Sequence, residues 1–140
     1  MALRQTYLSM KKKLPEDTKT VLVMLGRGND ELAPSRDLLE DFNIAKKECA
    51  SRMTESARVY GCAWRASNYE KRFRQQVLSS PVSMARLEQL SKESKSRDIY
   101  LICYEADDKP CHRKLLLDIA EEHFDAKVNR QPFGKQPSLF

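Results

Sequence analysis

Within eleven residues the chain places Cys103, Glu105, Cys111, His112 and Arg113. These types support three chemistries. A cysteine beside a histidine and an arginine at the start of a helix has its thiol pKa lowered, which favours the nucleophilic thiolate. Cys111, His112 and Glu105 are therefore the candidate catalytic residues. Phosphatase and rhodanese loops carry an Arg six positions after the Cys. Here Lys109 stands at that offset from Cys103 and Leu117 from Cys111, which disfavours that mechanism. Cys103, Cys111 and His112 are also soft metal ligands, but the Cys-x-x-Cys pairs of structural zinc are absent, so no metal is expected. Anion binding is the most economical of the three. Arg113 at a helix N-terminus, Arg27 between Gly26 and Gly28, and Arg72 would converge on a phosphate, a nucleotide or a nucleic-acid backbone. Arg27, Gly28, Tyr69, Arg72 and Arg113 are the candidate ligand-binding residues; the cofactor is unknown.

The surrounding elements must position these groups. Ile99 to Cys103 is a continuous apolar run, the mark of a strand buried on both faces. After it, Leu115, Leu116, Ile119, Ala120, His123 and Phe124 form one helical stripe, with Asp108 as expected N-cap and Pro110 in the first turn. Thr20 to Leu25 reads as a second buried strand, and Leu3 to Leu8 as a short edge strand. Ser35 should cap a helix bearing Leu38, Phe42, Ala45, Cys49 and Met53, which puts Cys49 in the core. Tyr60 to Trp64 reads as a connector, with Cys62 and Trp64 as possible pocket residues. Ser67 to Glu70 has the capping-box pattern, and Ser83 should cap a further helix with Val82 and Leu87 as its staple. Asp125 to Arg130 alternates like an edge strand. Strands joined by helices imply an α/β fold: a mostly parallel sheet with helices on both faces, a Rossmann-like three-layer sandwich. Residues 1–130 make one domain and 131–140 a flexible tail.

The 140 residues carry a formal net charge of +5, with denser basic patches at Lys11 to Lys13 and Arg65 to Arg74. That balance is compatible with nucleic acid or phosphorylated ligands, although many soluble domains share it. The four cysteines show no framework, and neither a signal peptide nor a membrane-spanning run is visible. A reduced, cytoplasmic protein is expected.

Several of these pieces occur together in a known family. Pro15-Glu-Asp leads to Val21-Leu-Val and Arg27-Gly28; Leu32-Ala-Pro-Ser35 opens a helix; Tyr69-x-x-Arg72-Phe73 follows; and Leu101-Ile-Cys103-Tyr-Glu105 runs to Cys111-His112-Arg113. In order and spacing the chain resembles domain of unknown function family 488, in its short YeaO-like branch, from about Lys13 to Phe124. It departs where Met24-Leu25-Gly26 replace the family's acidic residue and Arg, or the Trp-Pro of the short branch. The resemblance implies a compact α/β fold with a pocket.

The last residues, Gly134 to Phe140, resemble the sliding-clamp-binding peptides of replication and repair proteins. Gln136 would hydrogen-bond while Leu139 and Phe140 fill an apolar pocket. Deleting Gln136 to Phe140 is expected to abolish clamp binding in a pull-down while leaving the thermal unfolding midpoint unchanged.

Overall fold

The computed structural model describes residues 1–106 and 109–131. Three short strands, β1 (Leu3–Tyr7), β2 (Lys19–Leu22) and β3 (Ile99–Cys103), form a parallel sheet in the order β1-β3-β2. Leu3 and Lys19 both stand opposite Ile99. All five residues of β3 are buried, as its unbroken apolar run requires for a central strand. Among the described residues five α-helices, α1 (Arg36–Ala50), α2 (Ser56–Ala66), α3 (Tyr69–Leu78), α4 (Pro81–Glu93) and α5 (His112–Phe124), and two short 3-10 helices, Leu8–Lys13 and Asp30–Leu32, complete the fold. The fold is α/β. The chain places four α-helices between β2 and β3, and α5 returns from the end of β3 to lie against β1 and β3. Leu101 of β3, Phe73 of α3, Leu87 and Leu90 of α4, and Leu116 and Ile119 of α5 share one core. No helix among the described residues is long and apolar enough to cross a membrane.

Several local expectations need correction. The strand expected over Thr20 to Leu25 is an edge strand that stops at Leu22. Asn29 Nδ2 donates to the Leu22 carbonyl at 3.0 Å, while Val23 makes one further bond to Ile102 O at 2.9 Å before the chain turns away. Ser35 does cap α1, its side chain accepting from Leu38 N. The expected connector Tyr60 to Trp64 is instead the middle of α2, since Gly61 is tolerated inside a helix held by tertiary packing. Ser67 ends α2 rather than capping α3; Asn68 takes the left-handed conformation (φ 54°) between the two helices, so no capping box forms. Ser80, not Ser83, caps α4, with Pro81 in its first turn. Ser83 is buried and donates to Glu31 O at 2.6 Å, while Val82 is 69% exposed and staples nothing. Cys111 is the N-cap of α5, which begins after Pro110; Asp108 lies outside the described residues. His123 faces outward rather than joining the stripe. Asp125 to Arg130 makes only an isolated bridge, Leu3 to Val128, not a strand.

The four cysteines, unconnected in the sequence, form two pairs in space. Cys49 of α1 and Cys62 of α2 are bonded, with Cα atoms 6.1 Å apart. Cys103 of β3 and Cys111 at the start of α5 are bonded as well.

Leu101 is fully buried in the central strand. Leu101→Ala is expected to lower the unfolding free energy by about 2–5 kcal/mol, read as a shift of the urea midpoint at unchanged slope.

Candidate functional site

At the carboxyl end of the parallel sheet lies a hollow of about 150 Å³. The segment leaving β2 contributes Met24 and Leu25. Phe42 and Lys46, one turn apart on α1, form a second wall with Trp64 of α2 and Tyr69 of α3. Tyr104 and Glu105 enter from the loop after β3, and Cys111 and His112 from the start of α5. Phe42, Trp64, Tyr69 and Tyr104 give the hollow an aromatic side. Trp64 and Tyr69 stack with ring centroids 4.2 Å apart, and Phe42 meets both edge-on. Lys46 Nζ sits 5.2 Å from the Phe42 ring and 4.8 Å from that of Tyr60, and Lys109 approaches Tyr60 from 5.0 Å.

His112 joins the two loops that frame the hollow. Its Nε2 lies 2.7 Å from Val23 O. A carbonyl only accepts, so Nε2 carries the ring proton and Nδ1 is left as a bare lone pair. That lone pair faces Cys111 Sγ at 3.6 Å. Burial pushes the imidazole pKa down to about 4; the Val23 carbonyl opposes the shift and the Arg113 charge adds to it. The ring is therefore neutral at neutral pH, and Phe73 packs edge-on against it at 5.3 Å.

Glu105 brings a carboxylate to the same place. Its Oε2 lies 2.8 Å from Cys103 Sγ and 3.4 Å from Cys111 Sγ. Burial, with the nearby Glu105 charge adding to it, raises the Tyr69 phenol well above its ordinary value, so Tyr69 stays protonated. Cys111, His112, Glu105 and Tyr69 are thus brought together around one hollow, as is Cys103 just behind it.

The arginines are arranged differently. Arg113 is fully buried. Its Nη1 donates to Glu105 O at 2.7 Å and to Cys103 Sγ at 3.1 Å, and its Nε donates to Gln5 Oε1 at 3.2 Å. Arg27 is exposed; it donates to the Tyr104 hydroxyl at 3.2 Å and covers that ring. Arg72 pairs with Asp41 at 2.8 Å and donates to Ser67 O. None of the three lines the hollow. Gly28 takes a φ of +90° in the turn that carries Arg27, a conformation that favours glycine. Gln136, Leu139 and Phe140 lie outside the described residues.

Sequence reasoning missed Lys46 and treated Phe42 as plain core. The available signal was their spacing of four along α1, which puts both on one face.

A small α/β protein with an aromatic hollow at the end of a parallel sheet, floored by a Cys-His-Glu cluster, is the class that fold and site define. The model of the active DUF488-N3 subclade, DUF488-N3a, matches residues 27–123, and the chain belongs to the DUF488 family. No curated protein and no solved structure matches the chain.

Removing the buried guanidinium strands the groups around it. Arg113→Ala is expected to cost about 3–5 kcal/mol in chemical denaturation. Arg113→Lys should recover only part of that, because an ammonium cannot reproduce the fork that reaches Gln5, Cys103 and Glu105.

Proposed function

We propose that the hollow is a small-molecule site and that its ligand is a planar, phosphate-bearing molecule of the nucleotide class. The observation that supports this most directly is the stacked Trp64–Tyr69 wall with the Lys46 ammonium on the same rim. Aromatic faces stack on a base, and a nearby ammonium receives an anion. Arg27, close by on the Tyr104 ring, adds positive charge at the mouth. The carboxyl end of a parallel sheet is also where Rossmann-like architectures place their ligands. In this reading Arg113 is a structural cation that builds the floor rather than a ligand contact.

A second reading, a Cys111-dependent enzyme, is favoured by the approach of the bare His112 Nδ1 to Cys111 Sγ. The match to the active DUF488-N3 subclade supports the same reading. In the reduced protein His112 would accept the Cys111 proton, and the thiolate would attack an electrophile held in the hollow.

Trp64 is the sole tryptophan and reports on the site directly. A nucleoside monophosphate is expected to quench its emission saturably. Lys46→Met should weaken nucleotide binding about tenfold, the loss of one charge-assisted contact, and leave the uncharged nucleoside unaffected. Absence of saturable quenching, or equal nucleotide affinity in the variant, would overturn the reading. Iodoacetamide labelling of the reduced chain at pH 6 tests the second: rapid reaction at Cys111 supports a thiolate nucleophile, and slow reaction removes it.

A further inference from the structure

Three soft donors converge at the floor of the hollow. Cys103 Sγ, Cys111 Sγ and a His112 ring nitrogen all lie within 4.8 Å of one another, and all three residues are buried. They come from two elements that the fold holds rigidly, the end of β3 and the first turn of α5. We propose that Cys103, Cys111 and His112 form a three-ligand site for a divalent transition metal of the zinc class, with its fourth position open toward Glu105 and the hollow.

Four observations carry this. First, His112 Nε2–H donates a hydrogen bond to the Val23 carbonyl, which leaves the Nδ1 lone pair free to bind a metal; a metal-binding histidine is oriented by the same kind of outer partner. Second, Cys111 Sγ and His112 Nδ1 are 3.6 Å apart. Two neighbouring ligands on a tetrahedral zinc, at ordinary Zn–S and Zn–N lengths, stand roughly 3.5 Å apart. Third, the Cα atoms of Cys103 and Cys111 are 7.6 Å apart, beyond the usual disulfide span of roughly 4.4–6.8 Å. The Cys49–Cys62 pair, at 6.1 Å, lies within that span. Once the bond between the two sulfurs is reduced, this wider separation suits two thiolates sharing one ion. Fourth, the charges balance. Two thiolates neutralise a divalent ion, the imidazole is neutral, and the Arg113 cation beside Cys103 is offset by the Glu105 carboxylate.

Loading the site is a proton release. In the dithiol form each cysteine gives one proton to solvent as its sulfur binds the ion, so two protons leave per metal. In the structure the two sulfurs are bonded to each other, so a phosphine reductant first supplies two electrons and water two protons, and the phosphine becomes its oxide. Three protein ligands with one open position is the arrangement of zinc sites that activate water. Glu105, next to that position, is placed to take the water proton. A phosphate ester seated in the hollow would then be a substrate for hydrolysis: the water oxygen would bond to phosphorus, the P–O bond to the alcohol would break, and the departing oxygen would receive the proton held by Glu105. That consequence rests on the ligand reading above, but the metal site does not: metal is read by absorption and ligand by Trp64 emission, so either can fail alone.

The full chain, reduced with a phosphine and free of chelator, is titrated with cobalt(II) as a spectroscopic stand-in. One equivalent is expected to give thiolate-to-cobalt absorption in the near ultraviolet and the visible bands of a tetrahedral ion, both removed by one equivalent of zinc. Cys103→Ser and Cys111→Ser should each abolish the thiolate bands, and His112→Ala should weaken binding more than tenfold. The double variant Cys49→Ser/Cys62→Ser should leave the spectrum unchanged. A spectrum that is absent, or that depends on Cys49 and Cys62 instead, overturns the proposal. A variant-free measurement guards against misfolding: alkylation mapped by mass spectrometry on the wild-type chain. One equivalent of zinc should protect Cys103 and Cys111 but not Cys49 or Cys62. Equal labelling with and without zinc overturns the proposal.

Discussion

A guanidinium does not enter a protein interior alone; each N–H taken from water must find an acceptor. Arg113 finds acceptors at Gln5 on β1, far away in sequence, at the Cys103 sulfur at the end of β3, and at the Glu105 carbonyl in the loop that follows. Gln5 is itself fixed by donating from Nε2 to Arg130 O. The first turn of α5 is thereby locked to the sheet and to the far end of the domain. Because the loop carrying Glu105 is held by its carbonyl, its carboxylate is free to face the two sulfurs. The chemistry of the floor follows from that buried charge, although the charge itself never reaches the hollow.

The neighbouring residue completes the frame. His112 ties α5 to Val23, where the chain leaves β2 and turns toward the Gly26–Gly28 loop. The loops after β2 and after β3 are thus held on either side of one imidazole. Phe73 presses its ring edge-on against that imidazole from α3, and Tyr69, one turn earlier on the same helix, forms the aromatic wall. Consecutive residues of α5 therefore serve different ends: Cys111 reaches the hollow, His112 joins the loops, and Arg113 anchors the helix to the sheet.

Much of this was legible in the residues. The apolar run at Ile99 to Cys103 marked the central strand, and Ser35 marked the start of α1, because burial and capping are local signals. The juxtaposition of Cys111 and His112 with the Gly26–Gly28 side of the sheet followed from the expected parallel topology. What stayed hidden depended on long-range partners. Nothing near Arg113 in sequence says that Gln5 will accept from it, so an arginine at a helix start reads as a ligand contact. Gly61 suggests a break in α2 until the packing of Ala63 and Trp64 is known. The pairing of Cys49 with Cys62 requires α1 and α2 to lie side by side, which spacing alone does not state.

The strand order carries a consequence for how the molecule is made. β1 and β2 both lie within the first 22 residues, yet neither touches the other; each pairs with β3, which arrives some eighty residues later. A nascent chain that has emerged only through α4 holds two unpaired edges and no sheet. Loop-closure entropy must be overcome before any ladder bond forms, which makes sheet assembly late and the helical middle the natural place for structure to begin. The same insertion that completes the sheet also delivers Cys103, and the floor of the hollow is completed when the start of α5 brings Cys111 and His112 beside it.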